Sequence, residues 1–435
     1  MKQLYLLLLL KTLLFAETLE VSLPTRIAKT PIYLSKIYVP QEIDWRFFDE
    51  LRGVLEKDLN SNGLTTVLPT KQQLEESLHF PDIRQGFDKN VWKKEKIPYV
   101  VAAQVRENRC QLIVFDIAKG SSKKYPEFAL SGKIDLDRKE MHKIADHIQK
   151  DIFGVPGIAS SQLIYSMRIK DGDHWNSEIW VCDADGANVR KVIENEGYCI
   201  TPNFFPRSAD FYYVTFQEGQ SKIYRSSLNQ RTGESMIQLR GSQALPALNR
   251  KGDQIAFISD TAGRPDLFVQ NLDSRGKMIG KPRQLFSSPR ATQASPTFSP
   301  DGKQISFVSD KDGVPRVYLM DVLDPKETKR ANPKLLTKAN RENTSPAWSP
   351  DGKKIAYSAK VDGVRQIWML DVESEVEIPV TTGPENKENP SWAPDSLHLI
   401  YNTESEESCE IYRIHIFHKE PMRLCNGRFA AWSTM

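Results

Sequence analysis

Ser295-Pro-Thr-Phe-Ser-Pro-Asp-Gly-Lys303, followed by Ile305-Ser-Phe307 and Val317-Tyr318, is one copy of a pattern that fills the later part of the chain. It returns as Ser345-Pro-Ala-Trp-Ser-Pro-Asp-Gly-Lys353 with Ile355-Ala-Tyr357 and Ile367-Trp368, and in worn form as Asn389-Pro-Ser-Trp-Ala-Pro-Asp395 with Leu399-Ile-Tyr401 and Ile411-Tyr412. Upstream stand Thr201-Pro-Asn-Phe204 with Phe211-Tyr-Tyr213 and Ile223-Tyr224, and Leu245-Pro-Ala-Leu248 with Ile255-Ala-Phe257 and Leu267-Phe268. The prolines at 202, 246, 296, 346 and 390 are separated by 44, 50, 50 and 44 residues.

A period in this range, with short strands, is the signature of a propeller with one blade per repeat. Pro-x-aromatic opens a strand and Ser-Pro-Asp-Gly supplies a tight turn, because Pro presets φ and Asp-Gly tolerates the reversal. Ile-Ala-Phe is then a buried second strand and Ile-Tyr or Ile-Trp a third. Lys334-Leu-Leu-Thr337 and Arg283-Gln-Leu-Phe286 supply a fourth, edge strand. Leu163-Ile-Tyr165 and Ile179-Trp180 add a further set at the front that lacks its Pro-x-aromatic strand, whereas Phe429-Ala-Ala-Trp432 is a spare one at the end. The expectation is an all-β six-bladed propeller over 158–435, closed by the C-terminal strand completing the first blade.

The chain has 435 residues, long enough for two or three domains, and 59 Lys plus Arg against 56 Asp plus Glu. A formal charge of +3 is too balanced for a nucleic-acid footprint. Met1 to Leu10 places a basic residue before an apolar run that ends near Leu14-Phe15-Ala16, the pattern of a signal peptide over 1–16. A membrane anchor is the rival reading, but the run falls short of the ~20 residues a spanning helix needs. Of the five cysteines, Cys409 and Cys425 would flank a hairpin of the last blade and suit a disulfide; Cys182 with Cys199 is a weaker pairing, and Cys110 stands alone. No Cys-x-x-Cys supports redox catalysis or zinc.

After an N-terminal arm over 17–30, residues 31–153 read as a smaller α/β domain. Ile32 to Val39 alternates as a strand, Asp44 caps a helix that Asn62-Gly63 ends, and Leu64 to Leu68 is a second strand. Lys71 to Leu78 is a short helix, and Pro81 to Lys96 is a charged loop anchored by Trp92. Tyr99 to Val105, Cys110 to Ile117 and Phe128 to Ile134 are three strands. Asp137 opens a last helix with Met141, Ile144, Ile148 and Ile152 on one face.

Catalytic spacing is missing from the sequence: it has no Gly-x-Ser-x-Gly, no His-Glu-x-x-His, no phosphate loop and no dinucleotide fingerprint, so no cofactor is expected. His142 and His147, five apart, read as surface helix residues, and His415 and His418 as solvated edge positions. Asp171-Gly-Asp173 and Asp183-Ala-Asp185-Gly186 lack the twelve-residue calcium frame and read as hairpin turns, so no metal is expected. Trp180, Trp348, Trp368 and Trp392 read as structural strand aromatics. What remains is a face. The loops ahead of the innermost strands place Ser242, Gln243, Ala244, Leu245, Gln293, Ala294, Asn343, Thr344 and Glu388 on one rim, a surface suited either to docking a folded partner or to ordinary solvation.

The exported leader, the α/β domain ending in the Asp137–Gly154 helix, the Ile164-Tyr-Ser166 and Asp183-Ala-Asp-Gly-Ala-Asn188 blade, and the ordered Pro-x-aromatic copies with a trailing Trp432 together resemble the TolB family, the periplasmic component of the Tol-Pal envelope system. The resemblance implies a noncatalytic, monomeric periplasmic adaptor without membrane insertion. Its propeller rim would bind the peptidoglycan-associated lipoprotein Pal, and Glu20, Val21, Ser22 and Leu23 would serve a TolA-like inner-membrane protein. It implies support of envelope integrity and of outer-membrane constriction at division. Ser242, Leu245 and Ala294 stand where family members often have His, Ala and Thr. The alternative is an exported hydrolase, or the propeller module of a peptidase, whose further Ser-His-Asp domain finds no elbow here.

Overall fold

The structure is a computed structural model that describes residues 28–433 apart from 41–44, 81–86, 195–196, 218, 323–331, 406–407 and 419. The proposed leader, Asp44 and the positions Glu20, Val21, Ser22 and Leu23 lie outside the described residues.

The N-terminal body contains β1 (Thr30–Tyr38), α1 (Trp45–Ser61), β2 (Thr65–Val67), α2 (Gln72–Glu76), α3 (Lys89–Lys94), β3 (Tyr99–Arg106), β4 (Arg109–Asp116), β5 (Ser121–Lys124), β6 (Phe128–Ala129) and α4 (Ile134–Phe153). The sheet order is β2-β1-β3-β4-β5 with β6 beside β4, and β1 runs parallel to both its neighbours. Helices α1 and α4 cover one face through Leu51, Leu55, Met141 and Ile148 against Ile32, Leu34, Val101 and Leu112. On the other face, Trp92 and Leu74 pack on Tyr33, Val100 and Ile113. Cover on both sides explains why β3 and β4 are nearly continuous apolar runs without alternation.

Two expectations change here, and one strand was not anticipated. The charged segment before Lys96 contains α3, which Asp88 caps by accepting the Asn90 amide at 2.9 Å. The strand expected from Phe128 to Ile134 stops after Ala129, and α4 begins at Ile134 because the Asp137 carboxylate reaches back to the amides of Ser131 and Gly132. The edge strand β5 is fully exposed and polar, so it carries no apolar pattern to read.

In the remainder of the chain, hydrogen bonding groups the described strands into four sheets of four strands and one of eight. The four-stranded sheets begin at Gln243–Leu248, Gln293–Phe298, Asn343–Trp348 and Asn386–Trp392, and each continues antiparallel outward. The larger sheet holds two groups of strands joined by a single parallel bridge between Tyr198 and Ser177. At its far edge, Arg428–Trp432 pairs antiparallel with Gln162–Asp171, setting Trp432 opposite Leu163 and Arg428 opposite Ser166. Successive sheets share apolar cores: Phe257 with Val214, Phe307 with Leu267, Tyr357 with Val317, and Tyr401 with Ile367. Outer strands differ in length: Met278–Phe286 has nine residues, whereas Glu377–Pro379 has three.

The Ser-Pro-Asp-Gly turn is a local hydrogen-bonded unit. Ser299 Oγ donates to Asp301 and accepts from the Gln304 amide, Asp301 accepts from the Lys303 amide, and Gly302 takes φ 73°. Ser349, Asp351 and Gly352 repeat it. In the worn copy, Asp395 holds the Leu397 and His398 amides and the His398 ring, and His398 Nε2 meets the Ser61 carbonyl of α1 at 3.2 Å. This repeat departs from the others because it docks the N-terminal body.

The same contact revises the histidines. His142, His398 and His415 are 2%, 1% and 5% exposed, not surface groups. His142 Nδ1 pairs with Asp58 at 2.6 Å. His418 Nε2 donates to the Gly63 carbonyl at 2.7 Å. Arg138 of α4 forms an ion pair with Asp185, which Lys57 of α1 also reaches at 3.4 Å. Although burial pushes the Asp185 carboxyl up, the Ala187 amide, Arg138 and Lys57 hold it below the usual range. Gly63, at φ 75°, sits so close to the His415 ring that an added Cβ would lie 2.2 Å from it.

Gly63→Ala is expected to cost about 2–4 kcal/mol, the left-handed penalty plus the clash. Gly132→Ala, at the same φ of 75° but with nothing within 4 Å, should lose only the first part; equal losses in thermal unfolding would contradict the close contact. Asp185→Asn should cost about 2–4 kcal/mol at neutral pH by leaving Arg138 unpaired. Because the folded-state pKa is depressed, this contribution is present above the ordinary aspartate value of about 3.9 and fades as pH falls through the lower folded value. Acid titration of the melting temperature of wild type and Asp185→Asn checks the convergence.

Candidate functional site

Each innermost strand carries the same irregularity. The register shifts between Ile200 and Asn203, Ala244 and Ala247, Ala294 and Thr297, Thr344 and Ala347, Glu388 and Ser391, and Arg428 and Ala431. Within these bulges Thr201, Leu245, Ser295, Ser345, Asn389 and Phe429 adopt φ between 45° and 55°. A left-handed non-glycine residue is uncommon, and its recurrence at one position of every inner strand marks a constraint of the architecture. These residues and their prolines line a single cavity of about 680 Å³, together with Pro300, Pro350 and Pro394 of the turns and Pro156 of the linker.

The turn end of this cavity faces the N-terminal body through His398, so the strand starts, with Ser242, Ala294, Thr344 and Glu388, form the opposite rim. At that rim Asp260 accepts the Ser242 amide and Asp310 the Thr292 amide, both at 2.7 Å. Arg365 donates to Thr344 Oγ1 at 3.1 Å and pairs with Glu388 at 3.1 Å, tying two neighbouring sheets. Burial pushes the Glu388 carboxyl up, with Arg365 opposing and Glu404 adding to the rise.

Three rim assignments are corrected by burial. Gln243, Gln293 and Asn343 are 0%, 2% and 0% exposed and cannot meet a partner. Their amides donate inward to loop groups: Gln243 to the Gly241 carbonyl at 2.7 Å, Gln293 to that of Ala291 at 3.2 Å, and Asn343 to that of Asn340 at 2.8 Å. Lys387 occupies the same place in the next sheet and donates to Glu385. The shared spacing three residues before proline was the available signal. Ser242, Ala244, Leu245, Ala294, Thr344 and Glu388 are half-buried and share the rim, with Leu245 also packing into the core behind it.

The expected disulfide between Cys409 and Cys425 is absent, and all five cysteines are free. The register sets Cys425 opposite Ile411, whereas the Cys409 carbonyl accepts the Gly427 amide, so the sulfurs are two positions out of step. For metal binding, His142, Asp183 and Asp185 bring ligand atoms within 4.8 Å of one another. That cluster is already satisfied by the Arg138 and Lys57 cations on Asp185, by Asp58 on His142 and by Asn188 on Asp183.

Fold and rim define the class: a β-propeller built on Ser-Pro-Asp-Gly repeats, with an α/β body at one end of its channel. The family model described as TolB beta propeller domain matches residues 150–435, and the chain belongs to the TolB family. Similar curated proteins, each named Protein TolB homolog, include one from Protochlamydia amoebophila, 37% identical over 284 residues (63% of this chain, 61% of that one), and one from Chlamydia caviae, 33% identical over 280 residues (63% and 60%). The match therefore spans about three-fifths of the length of these relatives. The crystal structure of TolB from Acinetobacter baumannii superposes with a TM-score of 0.74 at 22% identity, covering 94% of this chain and 97% of that one, and supports the fold. No helix among the described residues is long and apolar enough to cross a membrane.

Arg365→Met should strip Glu388 of its counter-charge and leave it beside Glu404. The expected loss is about 1–3 kcal/mol at neutral pH. Since the Glu388 pKa is raised in the folded state, the deficit should shrink as acid protonates that carboxyl; a pH-independent deficit in urea unfolding would contradict the assignment.

Proposed function

We propose that this protein is a noncatalytic periplasmic adaptor of the Tol-Pal system. Its 158–435 segment would form a six-bladed ring closed by the C-terminal strand, standing behind the 31–153 α/β domain as a monomer. The pairing of Trp432 with Leu163 and the equivalent bulges around one cavity support the ring. Through the rim opposite the α/β domain it binds the lipoprotein Pal, using Ser242, Ala244, Leu245, Ala294, Thr344 and Glu388. The segment containing Glu20, Val21, Ser22 and Leu23 serves a TolA-like inner-membrane protein, and the role is envelope integrity and outer-membrane constriction at division.

The observation that carries this reading is the pre-built state of the rim. Its loops are held by their own buried amides and by Arg365, so docking a folded partner there orders little. Family membership supplies the system in which such a rim would act.

Binding of purified Pal-type lipoprotein to the full mature chain tests the site. Ser242→Arg, Ala294→Arg and Thr344→Arg combined should weaken binding at least tenfold, about 1.4 kcal/mol or more, without changing the melting temperature by more than a few degrees. Wild-type affinity in the folded triple variant would move the site elsewhere, and no binding by wild type would refute the adaptor reading.

A further inference from the structure

The structure brings together two thiols from opposite ends of the repeat array. Cys182 lies at the end of the strand His174–Asp183, opposite Leu163, and is buried. Cys425 lies on the outermost strand of the last sheet, Met422–Asn426, opposite Ile411, and is half-buried. Leu163, Ile411, Tyr165 and Trp432 belong to one apolar core against which Cys425 packs, and Cys182 is part of it. The backbones meet as closely: a Cβ on Gly186 would stand 2.9 Å from the Leu424 carbonyl, and Arg413 donates to the Ala184 carbonyl at 3.2 Å. The Cys182 thiol and the Tyr165 hydroxyl share that core with the Cys425 sulfur and act on its titration.

We propose that Cys182 and Cys425 are a redox-active dithiol that closes to a disulfide across the seam between the first and last sheets, with an oxidised thiol–disulfide carrier as the oxidant. The roles of the two sulfurs follow from their surroundings. The neighbouring Cys182 and Tyr165 groups, with the Arg423 charge, hold the Cys425 thiol below its ordinary range despite burial. Cys182 is pushed up by the neighbouring Cys425 and by burial. Burial pushes Cys110 up to about 12 and also raises Cys409. Cys425 is half-buried whereas Cys182 is 1% exposed, so Cys425 is the accessible, attacking thiolate and Cys182 the resolving thiol. The Cys425 thiolate attacks one sulfur of the carrier disulfide, forming a mixed disulfide and expelling one carrier thiolate. Cys182 then loses its proton and attacks Cys425, forming the protein disulfide and expelling the second. Two protein thiols are oxidised, one carrier disulfide is reduced to two thiols, and both protons leave with them.

Closing this bond ties segments far apart in sequence, so it constrains the unfolded chain strongly. The test incubates the folded full chain with oxidised glutathione, blocks remaining thiols and maps peptides without reduction. The expected result is a single Cys182–Cys425 cross-link, loss of two of the five free thiols, and a melting temperature raised by roughly 5 °C or more. Cys182→Ala should instead accumulate glutathione on Cys425, and Cys409→Ser should cross-link as wild type does. Glutathione retained on Cys425 of the wild type, or a Cys409–Cys425 link, would overturn the pairing. A cross-link without any rise in melting temperature would overturn the bracing of the seam.

Discussion

The inner strands are governed by one backbone constraint: a residue ahead of proline, or its counterpart Phe429, held left-handed at about 1–2 kcal/mol each. The bulge lets the strand begin as a polar rim and finish as a buried aromatic, Phe298 or Trp392, without a loop between them. Burial of that aromatic against the next sheet offsets the strain, worth roughly 2–3 kcal/mol per side chain. The rim and the channel wall are therefore the two ends of one short segment. A change that relaxes the bulge would move both.

At the opposite end, the α/β body is held by polar contacts that converge on the worn repeat and on the first hairpin. His398, His418 and Asp185 receive the end of α1 and the side of α4. Buried ion pairs such as Arg138 with Asp185 specify a docking geometry more than they stabilise it, because desolvation consumes much of the attraction. An apolar patch would permit sliding; directed hydrogen bonds to the Ser61 and Gly63 carbonyls do not.

Local pattern carried the strands and turns into view, since each repeat encodes its own pleat and its own Ser-Pro-Asp-Gly reversal within a few residues. Helices α1 and α4 were visible through their apolar faces. Contacts between distant segments were not. His142 and His415 looked solvent-facing because nothing nearby in sequence reveals the Asp58 or Gly63 that covers them. Gln243, Gln293 and Asn343 looked like rim contacts because polarity suggests exposure, whereas loop carbonyls needed buried donors. Hairpin proximity suggests Cys409 with Cys425, whereas Cys425 packs against the first sheet. For the rim, sequence gave the loops and structure decided which of their side chains remain outward.

The uneven repeat length has its own meaning. The extra residues of the longer repeats fall beyond the third strand, as in the nine-residue outer strand Met278–Phe286 against the three-residue Glu377–Pro379, on the circumference and away from the axis. Loop closure grows only logarithmically costlier with length there. The girth of the molecule can thus drift over evolutionary time while its bore stays fixed, and the perimeter is where an added segment would be borne most cheaply.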